Sequence, residues 1–454
     1  MKKQRKRGRA KVVLGVIALV IVGIAGYVFI SGWLDGLPKL KYDLNEDGVA
    51  AVSWPDTDFA VISDLHYYSH TLGTDGAAFE ATLLSDRKLL LDSEDLLDFA
   101  IGEILDSEAK FVLISGDLTK DGERINHEIV RDKLARLTDA GLAVLVVPGN
   151  HDVNNPDAVS YDGENTERVA SVTAAEFADI YAGFGYGGAL DRDTGSLSYV
   201  AEPVPGLRVL ALDTCRYREN REGEGEIVGG RISQGTADWI ARTLRSAGQQ
   251  GKAVIATSHH GIVEHWDGQG KLHPDYLIDD YIHVGEFLAS YDVRLVFTGH
   301  YHAQDITTGV FNDKSIYDVM TGSLITAPCP IRYCSVKDGR FSVSSDFIVD
   351  KLRPGTGFAQ DAADFVKATV YLEAYNTLKK YRVSDQDSDY FADAIGDAFS
   401  AHYSGDENPS EMPGFDAGRL GPWGRVVYFI QGYVLDGLWA DLPPADNNAA
   451  FSLY

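Results

Sequence analysis

Short apolar runs alternate with helical patterns through the middle of the chain. Five of these runs are typical of buried strands, over residues 59–63, 111–115, 142–148, 253–258 and 293–298. Amphipathic helices are predicted over 93–108 and 124–140, where apolar residues recur every three or four positions. A strand over 207–213 and a helix over 236–246 continue the alternation. Such alternation predicts a layered α/β domain.

Each of the five strands ends in residues of the kinds that bind metals. These residues are Asp64 and His66, Asp117, Asn150 with His151 and Asp152, His259 with His260, and His300 with His302. Because ligands bind outside the carboxyl ends of strands in open α/β sheets, we expect the five ends to meet. Asp64 and His66, and likewise His300 and His302, should face one side if their backbone is extended. Oxygen donors mixed with imidazoles suit manganese, iron or zinc better than calcium.

The order of these motifs resembles the calcineurin-like metallophosphoesterase family. The resemblance rests on Asp64-x-His66, Gly116-Asp117, Gly149-Asn150-His151-Asp152, His259 and Gly299-His300-x-His302, and it covers roughly residues 57–350. It implies a four-layer sandwich of two mixed β-sheets flanked by helices. It also implies hydrolysis of phosphate esters by a hydroxide that bridges two divalent metal ions.

The resemblance further implies a role for each motif residue. One metal would be held by Asp64, His66, Asp117 and His302, and the other by Asp117, Asn150, His259 and His300. His151 would stabilise the developing charge or protonate the leaving group, and Asp152 would orient His151. The motif His259-His260-Gly261 lacks the proline found after the histidine pair in many relatives, which leaves open which of the two histidines is the ligand. By the family pattern, His260 is expected beside the ligands.

The formal charge is strongly uneven along the chain. The chain has 41 Lys and Arg against 67 Asp and Glu, yet seven of the basic residues lie in the first eleven positions. The acidic remainder would repel a nucleic-acid backbone, so no binding to nucleic-acid polymers is expected. An anionic substrate is instead expected to be held locally by the metal ions.

The amino-terminal pattern predicts a membrane anchor. Residues 12–31 form an uncharged, mostly apolar run that follows the basic tail of residues 1–11. This run is long enough for a transmembrane helix of roughly 20 residues. The basic tail should remain in the cytoplasm, which would place the catalytic domain outside a single-pass cell-membrane protein. A cleaved signal peptide is the alternative. Residues 32–56 would form a linker.

The predicted elements change from alternating strands and helices in the metallophosphoesterase domain, residues 57–352, to helices in a carboxyl-terminal domain, residues 355–454. Helices are predicted over 361–381, 387–402 and 424–439, and strands over 315–324 and 341–349 are expected to close the second sheet. This architecture resembles the membrane-anchored, cyclic-nucleotide-phosphodiesterase-like branch of the family. The added helices could serve solely to stabilise the enzyme, or they could shape the substrate cleft or mediate a dimer.

The expected function is therefore hydrolysis of a small phosphodiester, such as a cyclic nucleotide, outside the membrane. A phosphomonoesterase or a lipid or cell-wall phosphoesterase is the alternative within the enzymes, since the same metal core serves all of them. A non-catalytic scaffold that retains the fold is the alternative of another class. Cys329 and Cys334 are near enough in sequence to form a disulfide or to remain free.

Overall fold

A computed structural model of the chain describes residues 40–46 and 52–454, and every helix and strand given below belongs to the unit Tyr42–Tyr454. The predicted basic tail, transmembrane segment and much of the predicted linker lie outside the described residues. Among the helices that the structure does describe, none has both the length and the apolar character to cross a membrane.

The strands predicted at the five motifs are present within a few residues of their expected bounds. The described strands are β1 Thr57–Ile62, β2 Phe111–Ile114, β3 Ala143–Val146, β4 Val159–Asp162, β5 Asn165–Arg168, β6 Asp191–Arg192, β7 Tyr199–Val204, β8 Leu207–Leu212, β9 Ala253–Ser258, β10 Leu295–Thr298, β11 Asp305–Phe311, β12 Lys314–Met320, β13 Pro330–Lys337, β14 Arg340–Phe347 and β15 Asn448–Ser452. The described α-helices are α1 Ala77–Ser85, α2 Ser93–Leu105, α3 Arg124–Asp139, α4 Ala174–Ile180, α5 Gln234–Gln249, α6 Gln269–Leu272, α7 Tyr281–Ser290, α8 Val349–Leu352, α9 Phe358–Lys380, α10 Asp385–Ser404, α11 Pro422–Gln431 and α12 Tyr433–Leu438.

Two mixed sheets form the centre of the described part of the molecule. The first has the strand order β15-β14-β13-β1-β2-β3, and the second has the order β11-β12-β10-β9-β8-β7-β6. Strands β1, β2 and β3 are parallel, as are β8, β9, β10 and β12. The carboxyl ends of the parallel strands therefore form a common edge in each sheet, and this is where the motif residues lie.

The two sheets pack face to face through aromatic side chains. The ring of Phe59 in β1 meets the edge of the Phe297 ring in β10, with centroids 5.4 Å apart, and both residues are buried. Helix α3 contacts β3 in the first sheet, whereas α5 and α7 contact β9 and β12 in the second. The apolar stripes predicted from periodicity thus cover the sheets, in agreement with the layered α/β prediction.

The carboxyl-terminal segment is helical, as predicted, but it also contributes a strand that was not predicted. Helices α9 and α10 pack along each other, and α9 also contacts α1. The chain then returns to the first sheet, where β15 pairs antiparallel with β14. The helices are therefore attached to the first sheet at both of their ends.

The expectation that both closing strands belong to the second sheet is half wrong. Strand β12 does pair with β10 in that sheet, but β14 lies in the first sheet. The reason is β13, which was not predicted and which pairs with both β1 and β14. Cys334 lies in β13 opposite Phe59, and both Cys329 and Cys334 are buried free thiols.

Candidate metal centre

The backbone leaves the extended conformation at the predicted ligands. Its φ angle is 51° at Asp64, 34° at His66, 51° at Asp117, 72° at His300 and 64° at His302. This left-handed region is unfavourable for residues that carry a Cβ, and such residues concentrate at functional sites. The expectation of extended backbone at these positions is therefore wrong. The loops place the ligands by tight turns, not by the alternation of a strand.

The first group of candidate ligands consists of Asp64, His66 and His302, whose donor atoms lie within 4.8 Å of one another. His302 Nε2 is 3.4 Å from Asp64 Oδ1 and 3.2 Å from His66 Nε2. His66 Nε2 is also 3.5 Å from Asp117 Oδ2. These four residues are the ones that the family resemblance implies for one metal.

The second group consists of Asp117, His259 and His300, again with donor atoms within 4.8 Å of one another. His259 Nε2 lies 3.3 Å from Asp117 Oδ2 and 3.0 Å from Asn150 Oδ1. One oxygen of Asp117 thus faces both groups, which is the position that a bridging ligand requires. The structure therefore brings together all seven predicted ligands.

The chemistry of these groups fits divalent ions. Burial, together with the positive charge of Lys88, holds the pKa of His66 well below its usual value, and burial with the charge of His259 does the same for His300. Burial alone would raise the pKa of Asp117, but His259 lowers it well below its usual value. Neutral imidazoles and an ionised carboxylate are the forms that bind metals. His259 differs, because Asp117 raises its pKa to about 9 against the effect of burial, so metal binding there must release a proton.

Two glycines allow the strand-end loops to approach each other. A Cβ added to Gly149 would overlap Asp117 Oδ1, and one added to Gly299 would overlap Ser63 Oγ and Asp64 Oδ2. The bare backbone at these positions therefore lets the ligand carboxylates lie against the neighbouring loops.

The ring of His151 lies beside that of His66 in the first group, with centroids 4.9 Å apart, and its Nε2 is 4.0 Å from Asp117 Oδ2 and 3.9 Å from Glu226 Oε1. Its other nitrogen, Nδ1, lies 2.9 Å from Asp121 Oδ1. Burial and Lys88 lower the pKa of His151, but the charge of Asp117 and the hydrogen bond to Asp121 raise it to about 9. The arrangement therefore favours the imidazolium, the form that can donate a proton.

The prediction that Asp152 orients His151 is wrong. The buried carboxylate of Asp152 accepts hydrogen bonds from the backbone N–H groups of Gly149, Leu118 and Thr119. It thus ties the loop after β2 to the loop after β3. Asp121 occupies the orienting position instead, since its carboxylate is the group that accepts from the His151 ring.

His260 lies beside the ligand groups, as expected, with its ring centroid 4.5 Å from that of His300, but both of its nitrogens have other partners. Its Nδ1 lies 2.7 Å from Thr214 Oγ1, and its Nε2 lies 2.8 Å from the carbonyl oxygen of Val228. Burial and the charge of His259 lower the pKa of His260 to about 3. Of the adjacent pair, His259 therefore has the geometry of a ligand, while His260 has both nitrogens engaged elsewhere.

The calcineurin-like phosphoesterase family matches residues 57–304, more than half of the 454-residue chain. The chain belongs to this family. An uncharacterized metallophosphoesterase-like protein of Bacillus subtilis is 23% identical over 295 residues, 59% of this chain and 53% of that protein. A probable cyclic nucleotide phosphodiesterase of Synechococcus is 24% identical over 247 residues, 50% of this chain and 75% of that protein. The chain thus spans about half the length of the Bacillus relative.

Two solved structures of phosphatases are also similar to this phosphoesterase. A dimetal phosphatase from Danio rerio is 18% identical, with a TM-score of 0.46, over 64% of this chain and 96% of that one. A purple acid phosphatase from yellow lupin is 12% identical, with a TM-score of 0.36, over 64% of this chain and 52% of that one.

The candidate centre of this calcineurin-like phosphoesterase opens into a pocket of about 380 Å³. One wall is formed by the centre itself and the opposite wall by the carboxyl-terminal helices. The apolar residues of that second wall include Val370, Ala374, Leu378, Phe391, Ile395, Phe399, Val427 and Val434. Of the three roles considered for these helices, shaping the cleft is therefore one that this lining supports.

Two cations, Arg87 and Lys88, line the same pocket, and both have carboxylate partners. Lys88 Nζ is 3.1 Å from Asp86 Oδ2. Arg87 pairs with Glu373 of α9 and donates to the Tyr403 hydroxyl at 2.7 Å. Arg87 therefore links the segment before α2 to the helical wall.

The sequence prediction missed Asp121, Arg87 and Lys88. Asp121 lies four residues beyond Asp117 in a polar loop, and the two cations follow the short helix α1. None of the three ends a strand, which was the signal used to find ligands. The charged triplet Asp86-Arg87-Lys88, placed between two helices, was the available signal for the cations.

Proposed function

We propose that this chain is a metal-dependent phosphodiesterase that acts on a small diester. The observation that carries the proposal is the charge of the pocket. Its lysine and arginine are already paired with Asp86 and Glu373, and Glu226 adds a further carboxylate to the lining. Neither the lysine nor the arginine is therefore free to balance the second negative charge of a phosphomonoester, which would leave that task to the metal ions and His151 alone. A diester carries one negative charge and makes no such demand.

The residues of the centre support hydrolysis of such a diester. Two divalent ions held by the two ligand groups would polarise the phosphoryl group and lower the pKa of the attacking water. His151 presents Nε2 to the pocket and would give its proton to the leaving oxygen. Asp121 accepts a hydrogen bond from Nδ1, so it holds the ring in place and favours the imidazolium.

Within this class the narrower proposal is a cyclic nucleotide. The pocket contains aromatic side chains close to the ligands, including Tyr276, whose ring centroid lies 4.5 Å from that of His300. Phe399 and Tyr403 extend this aromatic surface into the helical wall. A nucleobase can stack on such a surface. The name of the Synechococcus relative, a probable cyclic nucleotide phosphodiesterase, agrees with this proposal.

A substrate panel tests both levels of the proposal. The purified chain, loaded with manganese, is assayed with 3′,5′- and 2′,3′-cyclic nucleotides, bis(p-nitrophenyl) phosphate and p-nitrophenyl phosphate. The expected kcat/KM is about fivefold or more higher for the aryl diester than for its monoester, because one added like-charge contact costs about 1 kcal/mol or more. A chelator should abolish turnover and manganese should restore it. Preference for the monoester would contradict the diester proposal.

A second candidate substrate, a diester with a long apolar chain, is favoured by the surface of α11. Trp423, Phe429 and Ile430 expose 53%, 90% and 58% of their area, while Val427 of the same helix lines the pocket. Exposed aromatic and aliphatic residues on a short helix are typical of contact with a lipid surface. A lipid could therefore pass from such a surface into the apolar wall.

A chain-length series separates the two candidates. For p-nitrophenyl alkyl phosphates from methyl to octyl, a lipid-type pocket should raise kcat/KM by about fourfold for each buried methylene. A flat series, together with turnover of cyclic nucleotides, would favour the nucleotide. Because Leu378 lines the pocket, Leu378→Ala should weaken that rise if the pocket takes an apolar chain. Leu372→Ala is the matched control, because Leu372 lies on the same helix and is 41% exposed.

The cellular location also stands as a proposal, carried by the basic tail and the apolar run of residues 12–31. We place the catalytic domain outside the cell membrane with the amino terminus inside. Protease added to intact cells should then degrade the catalytic domain and spare an epitope placed before residue 12. Protection of the catalytic domain until the cells are lysed would contradict this orientation.

A further inference from the structure

A second buried imidazole–carboxylate cluster lies outside the candidate metal centre. It consists of Asp305, His402 and Glu407, which are 2%, 1% and 6% exposed. One donor atom of each lies within 4.8 Å of those of the other two. His402 Nδ1 is 3.7 Å from Asp305 Oδ2 and in direct contact with Glu407 Oε1. The chemistry derived above uses none of the three residues.

The fold brings these side chains together from two regions that are distant in sequence. Asp305 begins β11, whereas His402 lies in the last turn of α10 and Glu407 in the loop that follows. That loop turns at Gly405, whose φ is 73°, and a Cβ there would overlap the carbonyl oxygen of Gln304. The close approach of backbone to backbone therefore places His402 and Glu407 against the start of β11.

Several polar atoms of the cluster are buried without a partner. Glu407 Oε2 and His402 Nε2 make no hydrogen bond, and neither does Oδ1 of the neighbouring Asp441. A buried polar atom without a partner costs about 1–3 kcal/mol, so native proteins rarely leave several together. These orphaned donors and acceptors indicate that a group capable of binding them belongs at this position.

The surroundings also carry an excess of negative charge. His265 lies between two carboxylates, 2.6 Å from Asp305 Oδ1 and 3.5 Å from Asp318 Oδ2. The buried guanidinium of Arg332 donates to the backbone carbonyls of Met320, Asp305 and Asp446, so the direct partners of the Asp305 and Glu407 carboxylates are the imidazoles of His265 and His402. Burial, with the charges of Asp305 and Glu407, raises the pKa of Asp446 to about 10. A cation would relieve this crowding.

We propose that Asp305, His402 and Glu407 bind a third divalent ion of the manganese, iron or zinc class. An imidazole with two carboxylates is a ligand set for such ions, and calcium would favour oxygen alone. Ligands about 2.0–2.2 Å from a common ion lie within about 4.4 Å of one another, close to the separation present here. The ion would fasten the loop after α10 to the strand that follows His300-x-His302. Its role is structural and does not depend on the proposed substrate.

Metal stoichiometry provides the first test. The full chain is loaded with manganese and freed of excess metal, and the manganese content per chain is measured by inductively coupled plasma mass spectrometry. We expect three ions per chain in the parent and two in Glu407→Gln. Glu411→Gln should retain three, since Glu411 is an exposed carboxylate of the same loop. Two ions in the parent, or three in Glu407→Gln, would overturn the proposal.

Anomalous diffraction at the manganese edge gives a test that needs no variant. Crystals of the manganese-loaded full chain should show a third peak within ligand distance of Asp305, His402 and Glu407, in addition to the two catalytic peaks. Two catalytic peaks with none at this cluster would refute the third site even if Glu407→Gln failed to fold. Failure of the substrate panel, in contrast, would not remove the third peak.

Discussion

Replacing Asp121 by Asn tests the role assigned to the His151–Asp121 pair. The structure places Asp121 Oδ1 2.9 Å from His151 Nδ1, and Lys120 keeps the pKa of Asp121 at about 2 despite its burial. The substitution preserves size and one acceptor oxygen, but it removes the negative charge that favours the imidazolium. None of the seven candidate ligands is altered, so both catalytic metals should remain bound.

The magnitude follows from the strength of a charged hydrogen bond. Such a bond contributes about 1.5–3 kcal/mol, which corresponds to a fall of about 10- to 150-fold in kcat/KM. The loss should be largest for diesters with alkoxide leaving groups, because these need the proton more than p-nitrophenolate does. With the charge removed, the pKa of His151 falls. An acid catalyst is lost as the pH rises through its pKa, so the basic limb of the pH profile should move to lower pH by about one to two units.

The assay compares pH profiles of kcat/KM for an aryl and an alkyl diester, with metal content measured on the same samples. Asp162→Asn is the matched control, since Asp162 is an exposed aspartate on the β4–β5 hairpin. An equal loss for both leaving groups, with an unmoved basic limb, would refute the proton-donor role. Loss of metal would show that Asp121 acts on the ligands instead.

Three further predictions follow from the same geometry. Asp117→Ala should lose both catalytic metals and all turnover. His151→Gln should keep both metals, and its turnover should fall most for diesters with alkyl leaving groups. Metal analysis and kinetics on the same samples check both variants. Gly149→Ala should lower metal affinity, because the added Cβ would overlap Asp117 Oδ1. Its control is Gly102→Ala, where an added Cβ meets nothing within 4 Å. This control should bind metal normally, and its free energy of unfolding in urea should rise by about 0.5–1 kcal/mol. Asp152→Ala should lower the free energy of unfolding by roughly 2–4 kcal/mol, since three backbone N–H donors lose their acceptor; a loss below 1 kcal/mol would contradict this role.

The ligand set could be predicted because each ligand follows a buried apolar run. Parallel strands carry their ends to one edge, so the position of a residue just after such a run already indicates where it lies. The conformation of the ligands could not be predicted in the same way. The positive φ angles at Asp64 and His302 arise from contacts between loops that are far apart in sequence.

The partner of His151 illustrates the limit of motif reasoning. The family resemblance implied that Asp152, the next residue in the motif, orients the ring, but neighbouring residues on a tight turn point in different directions. Asp121 reaches His151 only because the loop after β2 folds beside the loop after β3. The apolar wall of the pocket could not be predicted either. Periodicity indicated that the carboxyl-terminal helices have apolar faces, but it did not indicate which face lies opposite the metal centre.

The pairing of β15 with β14 has a consequence for biosynthesis. Domains generally fold as the chain emerges, so the metal ligands of residues 64–302 can assemble while the residues that wall the pocket are still being made. Until β15 arrives, β14 presents an open edge, which is a template for aggregation. A nascent or proteolytically shortened chain would thus contain every candidate ligand yet lack the helical wall of the pocket and keep the eight-residue β14 as its sheet edge. Pairing of β15 replaces that edge with a strand of only five residues.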